Sequence, residues 1–185
     1  MRVIAGNNSG AILKTIPDRK TRPTLGIVKE ALFNILGDKV VDADLLDLFA
    51  GSGSLGIEAL SRGAKNVVFI DNNPQCIRII HKNLNKFDFG VKGSAYVRDA
   101  YKIINFFANQ NKRFDIILMD PPYRAGKIEK IINNSRLKDI LNSKAILVIE
   151  HAKRYAPSCS SIKELCHIKS KRYGDTVLAI YEFKS

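Results

Sequence analysis

Tryptophan is absent from this chain, cysteine occurs three times and acidic residues are far outnumbered by basic ones. The cysteines, Cys76, Cys159 and Cys166, are odd in number and form no CxxC pair, which argues against a disulfide framework or a zinc knuckle. Reduced thiols fit a cytosolic setting. No apolar run approaches the length of a membrane span, and Met1-Arg2-Val3-Ile4-Ala5-Gly6 has no cleavage pattern. The expectation is a soluble, cytoplasmic protein, with nothing that requires more than a monomer. Repeats and low-complexity linkers are lacking, and 185 residues suit one domain that buries its core without a staple. The three histidines, His81, His151 and His167, are scattered, so no metal site is predicted. The shortage of acids leaves a net charge of +12, which favours a polyanionic partner, nucleic acid before an anionic membrane.

Apolar periodicity supplies the organisation. Arg2–Ile16 reads as two short strands around the turn-rich Gly6-Asn7-Asn8-Ser9-Gly10. A basic loop follows, then a helix in which Ile27, Val28, Ala31, Leu32, Ile35 and Leu36 recur at helical spacing before Gly37. From Leu45 short apolar strands alternate with amphipathic helices. Asn73-Pro74 starts one helix, with proline where its missing N–H costs nothing. The β-α-β-α order argues for an α/β fold with a mostly parallel sheet covered on both faces. Strands at 167–171 and 177–183 read as an antiparallel C-terminal hairpin. Residues 1–40 form an N-terminal hairpin-and-helix extension, and 41–185 the core of a single domain.

The first chemical motif is Asp47-Leu48-Phe49-Ala50-Gly51-Ser52-Gly53, where a strand hands over to a helix. Gly51 and Gly53 allow a tight turn and close approach of a ligand. Asp71 ends the next strand, eighteen positions after Gly53, where α/β nucleotide-binding folds offer a carboxylate to ribose hydroxyls. Asp99 follows the third strand and is a candidate acceptor for an adenine amino group, or a helix cap. Asp47 opposes a phosphate and suits the amino group of a methionine-like moiety. S-adenosylmethionine (SAM) therefore fits better than NAD, and the lack of GxxxxGK[ST] argues against a P-loop. The candidate cofactor residues are Asp47, Phe49, Gly51, Gly53, Asp71, Asn72, Asp99 and Ala100.

The second motif, Asp120-Pro121-Pro122-Tyr123, terminates the strand Phe114–Met119. Ligands of open α/β sheets bind outside the carboxyl ends of the strands. Two prolines stiffen the chain. A rigid loop with a carboxylate, carbonyls and an aromatic face has the parts to hold a flat base and its exocyclic amine. Such an amine is a poor nucleophile because its lone pair enters the ring. Acceptors at Asp120 and Pro121 would fix it and favour positive charge on nitrogen during methyl transfer, while Tyr123 stacks on an extruded base.

LDLFAGSGSLGIEALSRGA, IDNNP and LMDPPY resemble motifs of class I SAM-dependent methyltransferases. MRVIAG at 1–6, RPT at 22–24 with KEALFNIL, and KRYGDTVLAIYE at 171–182 narrow the resemblance to the RsmD family, over almost the whole chain. The resemblance implies a Rossmann-like fold of seven strands with an N-terminal extension. It also implies methylation of the N2 amine of a guanine in bacterial small-subunit (16S) ribosomal RNA. SAM is then implied at Asp47, Gly51, Gly53, Asp71 and Asp99, and the target base at Asp120–Tyr123. Tyr123 stands where the family often has Phe, and Asp71 where it often has Glu. The motif by itself also serves adenine-N6 methylation, and a non-catalytic RNA-binding protein on the same fold is a third reading.

Positive charge is concentrated at 1–29, at 151–174 and beside the catalytic loop. Arg19, Lys20 and Arg22 are candidates for an RNA platform, and Arg124 and Lys127 for contacts to nearby phosphates.

Overall fold

The computed structural model describes residues 1–16, 24–121, 127–155, 157 and 162–184, with the backbone alone at 24, 25 and 127. Seven strands form one sheet in the order β3-β2-β1-β4-β5-β7-β6. They are β1 (Asp44–Asp47), β2 (Asn66–Asp71), β3 (Gly93–Val97), β4 (Phe114–Met119), β5 (Leu141–Ala152), β6 (Leu165–Tyr173) and β7 (Thr176–Phe183). The pairs among β3, β2, β1, β4 and β5 are parallel, whereas β7 is antiparallel to β5 and to β6. The helices are α1 (Thr24–Leu36), α2 (Ser54–Ser61), α3 (Pro74–Lys86), α4 (Ala100–Asn109) and α5 (Lys127–Ile132). No helix among the described residues is long and apolar enough to cross a membrane.

Side chains alternate across the strands, so the sheet has two buried faces. On the first, Leu45, Val67, Phe69, Ile116, Leu118 and Val148 pack with residues of α1, α2 and α3, including Phe33, Ile57 and Ile80. On the second, Leu46, Val68, Ile117 and Leu147 pack with α4 and α5 through Ile104, Phe107 and Ile131. These central strands read as continuous apolar runs because both of their faces are covered.

Strand ends differ from the periodicity reading by a residue or two, except in β5. That strand runs from Leu141 to Ala152, whereas the apolar pattern marks a strand only over Ala145–Glu150. The polar Asn142, Ser143 and Lys144 hide its first residues from a hydrophobicity reading. Ile27 fits the helical spacing of α1 yet is 62% exposed; Phe33 is buried in its stead.

The N-terminus departs furthest. The hairpin expected there is present but short: residues 1–3 and 11–13 pair antiparallel about the Arg2–Ile12 bridge, with Val3 N–H bonded to Ala11 O and Leu13 N–H to Met1 O, both at 2.9 Å. The physical reason lies in where the backbone donors go. Ile4 N–H and Ala5 N–H bond to the two carboxylate oxygens of Glu58 at 2.7 and 2.9 Å. Asn7 N–H bonds to the Ser61 carbonyl at 2.9 Å, and Asn8 N–H to Ser61 Oγ at 3.0 Å. From Ile4 to Asn8 a helix end thus takes the place of a partner strand, which keeps the hairpin short. Gly6 is required at this junction: its φ is +84°, and a Cβ there would stand 1.8 Å from the Ser61 oxygen.

Candidate active site

β1 lies at the centre of the parallel sheet, and its register places the site. Asp47 pairs with Phe69 of β2 and with Leu118 of β4. Asp71 and Asp120 each lie two residues beyond those partners, in the same side-chain phase. Three carboxylates therefore meet at the carboxyl edge of three adjacent strands. The β1 ladder continues into the motif, with Leu48 N–H bonded to Leu118 O and Ala50 N–H to Ile70 O, both at 3.0 Å. Gly51 and Gly53 then take φ of +54° and +81°. Gly53 is the left-handed residue immediately before α2, and a Cβ on it would meet Ile80 Cγ1 at 2.9 Å.

Asp47 is only 1% exposed, and its Oδ2 has no hydrogen-bond partner among the described residues. Burial pushes its carboxyl up to about 7; the negative charges of Asp120 and Asp71 add to this, against backbone hydrogen bonds from Gly56 and Phe49. An unpartnered buried carboxylate oxygen beside a left-handed glycine loop calls for a cationic donor. The ammonium of SAM meets that need, and its sulfonium suits the surrounding carboxylates. An anionic dinucleotide phosphate does not. The residues present fit SAM.

Asp71 holds the site together as well as facing it. Its Oδ2 accepts from Gly51 N–H at 2.9 Å and its Oδ1 from Asn73 N–H at 2.8 Å. It thereby ties the glycine loop to the start of α3, where Asn73 caps the helix by accepting from Gln75 N–H at 2.9 Å. The buried Cys76 thiol also faces Asp71; burial first, then the Asp71 charge, push it up to about 12. A carboxylate has about four lone-pair positions, so the two backbone bonds leave acceptor capacity for a ribose. Asn72 is exposed beside it.

Asp99 is half committed to structure. Its Oδ1 caps α4, accepting from Tyr101 N–H at 3.0 Å and Lys102 N–H at 3.1 Å. The helix-cap alternative is thus realised, and the cap does not use the second oxygen of this exposed side chain. Ala100 is 8% exposed and packs on the second face, where the half-buried Phe49 also packs.

Asp120 is partly buried and Pro121 buried at the end of β4. Pro122, Tyr123 and Arg124 lie outside the described residues, as do Arg19, Lys20 and Arg22. Lys127 opens α5, and its side chain is likewise outside them.

Two groups escaped the sequence reading. Glu58, 0% exposed, accepts from Lys29 Nζ at 3.1 Å and Arg62 Nε at 2.9 Å besides the two N-terminal amides. Lys29 also donates to the Arg2 carbonyl at 2.6 Å. Asn83, in the last turn of α3, binds both Lys14 and the glycine loop. The available signal was a charged or amide residue within an otherwise apolar helix stripe, but nothing local distinguishes such a residue from a solvated one.

The sheet order, the glycine turn after β1 and the carboxylates ending β1, β2 and β4 define a Rossmann-like class I methyltransferase fold. A family model described as "Conserved hypothetical protein 95" matches residues 1–182. The chain belongs to that family, the RsmD family of methyltransferases. It is 35% identical to "Ribosomal RNA small subunit methyltransferase D" of Escherichia coli (strain K12) over 150 residues, 81% of this chain and 74% of the relative. The Haemophilus influenzae protein of that name is 32% identical over 83% of this chain and 79% of its own length. Among solved structures, yhhF of Escherichia coli superposes with a TM-score of 0.84 at 30% identity, covering 100% of this chain and 98% of that one. A Thermus protein, TTHA0928, shares the fold at a TM-score of 0.81 and 22% identity, covering 100% and 99%.

Proposed function

We propose that this chain uses SAM to methylate the exocyclic N2 amine of a guanine in small-subunit ribosomal RNA. The observation that carries the reading is the alignment of Asp47, Asp71 and Asp120 on one sheet edge around the glycine loop. It joins a buried, unpartnered carboxylate suited to a cationic cofactor with Asp120, which directly precedes Pro121. Ribosomal RNA as substrate follows the names of the relatives, and guanine N2 follows the family-specific ends of the sequence.

In this reading Asp47 holds the cofactor ammonium, Phe49 to Gly53 wrap its methionine part, Asp71 and Asn72 hold the ribose, and Asp99 and Ala100 border the adenine. Bound SAM supplies an electrophilic methyl group. Asp120 and the Pro121 carbonyl accept the amine N–H bonds, fixing the nitrogen lone pair and favouring the charge that builds on it. Pro122 keeps the turn rigid and Tyr123 stacks on the base. Once methylated, the nitrogen is acidic, and its proton passes to Asp120 or to water. Arg19, Lys20, Arg22, Arg124 and Lys127 contact RNA phosphates.

The test is methyl transfer to small-subunit particles lacking the modification, followed by identification of the product nucleoside. N2-methylguanosine is expected. N6-methyladenosine would replace guanine by adenine, and failure to bind SAM in calorimetry would leave an RNA-binding protein without catalysis.

A further inference from the structure

The C-terminal hairpin brings a second concentration of positive charge to the edge that carries Asp120. β6 is an edge strand, and residues 166–173 are exposed or half-buried throughout. Within its nine residues, LCHIKSKRY, it carries Lys169, Lys171 and Arg172 and no acid. No ion pair with another described residue holds any of the three.

The register fixes where these cations stand. Met119 pairs with Ile149, Ile149 with Ala179, and Ala179 with Ser170. Lys171 is therefore level with Asp120, one residue beyond Met119. β6 is antiparallel to β7, which is antiparallel to β5, so β6 runs in the same direction as β4 and ends on the same edge. Three strand spacings separate them, about 14 Å. Lys171 pairs with Leu178 and Lys169 with Ile180, both of which belong to the first face. That is the face on whose phase Asp47, Asp71 and Asp120 lie. The exposed Lys153 and Arg154 follow β5 on this edge, and the Lys153 N–H bonds to the Asp175 carbonyl of the β6–β7 turn at 2.7 Å.

Lysines on an edge strand also guard against pairing with another sheet. The opposite edge gives a comparison. β3, Gly-Ser-Ala-Tyr-Val, carries no cation at all, although its edge is equally unpaired. Edge protection alone does not account for the asymmetry, whereas contact with a polyanion on the catalytic side does.

We propose that Lys169 and Lys171, with Arg172, Lys153 and Arg154 beside them, bind the phosphate backbone of the substrate RNA away from its target base. The RNA then runs along the carboxyl edge of the sheet from Asp120 over β5 and β7 to β6. This rests on the reading of the substrate as RNA, and it assigns the hairpin a role separate from the basic loop at 19–22.

The probe is unmodified small-subunit ribosomal RNA, with binding measured across a salt series. The double variant Lys169→Gln/Lys171→Gln is compared with Lys65→Gln/Lys92→Gln, which removes the same charge from the amino ends of β2 and β3, away from the carboxyl edge. Two lost phosphate contacts lower the salt slope by about 1.4–1.8. The hairpin variant is expected to show that fall and RNA affinity weaker by roughly three- to tenfold near physiological salt, with SAM affinity unchanged. The control is expected to keep the wild-type slope. Equal slopes in both variants overturn the inference while leaving rRNA methylation standing. So does self-association of the hairpin variant, seen by size-exclusion chromatography, with RNA binding intact. If the wild type binds no RNA, the inference and the substrate reading fall together; binding with a different methylated base leaves the inference in place.

Discussion

The side-chain amide of Asn83 pairs with the backbone of Lys14 in both directions. Lys14 N–H donates to Asn83 Oδ1 at 2.9 Å, and Asn83 Nδ2 donates to the Lys14 carbonyl at 2.9 Å. The same nitrogen donates to the Ser52 carbonyl at 3.2 Å. One fully buried amide on α3 thus joins the chain leading into the basic loop to the glycine turn. Asn83→Ala is expected to lower stability by about 1–3 kcal/mol, since backbone groups lose their partners. It should also weaken SAM binding by loosening Ser52. Thermal unfolding with and without SAM measures both; a variant that melts lower yet binds SAM as the wild type does would reduce Asn83 to a purely structural bond.

Asp47 makes cofactor binding depend on pH. Its carboxyl ionises near 7 in the folded chain, against an ordinary value of 3.8. Between those values the folded chain keeps a proton that the unfolded chain has released. Stability of the cofactor-free protein therefore falls as pH rises from about 4 to about 7 on this group's account. An ammonium partner needs the ionised form, so SAM affinity should tighten from pH 6 to pH 8. Asp47→Asn is expected to flatten that dependence, raise the melting temperature of the cofactor-free protein at pH 8 and weaken SAM about tenfold or more. Calorimetry at several pH values decides it.

Asp120→Ala separates binding from chemistry. Methyl transfer should fall by about a hundredfold or more, by analogy with removal of one preorganised partner of a transition state, while SAM still binds. Because the Asp120 charge helps to raise Asp47, the pH profile of SAM binding should also move to lower pH. Retained turnover would remove Asp120 from its role.

The buried pair beneath the N-terminus is asymmetric. Burial pulls the Lys29 ammonium below its usual range, and Glu58 only partly offsets this. Glu58, although burial opposes its charge, is held below the usual carboxylate range by the Ile4 N–H, Lys29 and Arg62. Glu58→Ala strands Lys29 and two amides, and should cost about 3–5 kcal/mol. Lys29→Met leaves Glu58 with its other donors and should cost less. Glu58 stabilises the fold above the ordinary glutamate range, and that contribution is lost as pH falls through its depressed value. Acid unfolding monitored by circular dichroism should therefore be shallower in Glu58→Gln.

Charge reversal of Arg19, Lys20 and Arg22 should weaken RNA binding and reduce its salt slope by about 2–3. An unchanged slope would sink the basic loop as a platform.

Chain-local physics determined much of this protein. Apolar runs bounded by Gly, Pro and Asp located the central strands, because strands buried on both faces have no polar alternation to obscure them. Pro74 behind Asn73 marked α3. Asp47, the two glycines and Asp71 were readable because they stand at fixed offsets from strand ends, and ligands of such sheets bind there. Tertiary structure decided what those residues do beyond that. Asp71 looks like a ribose acceptor in sequence, yet it also clamps Gly51, which lies twenty positions away. Asp99 serves as a cap because α4 starts directly behind it. Glu58 and Asn83 gained their roles from contacts 53 to 69 positions distant, and the N-terminal hairpin is kept short by the Glu58 contacts. The alignment of Lys171 with Asp120 exists only through strand register, a relation between hydrogen-bonded neighbours. Periodicity along one chain carries no information about it.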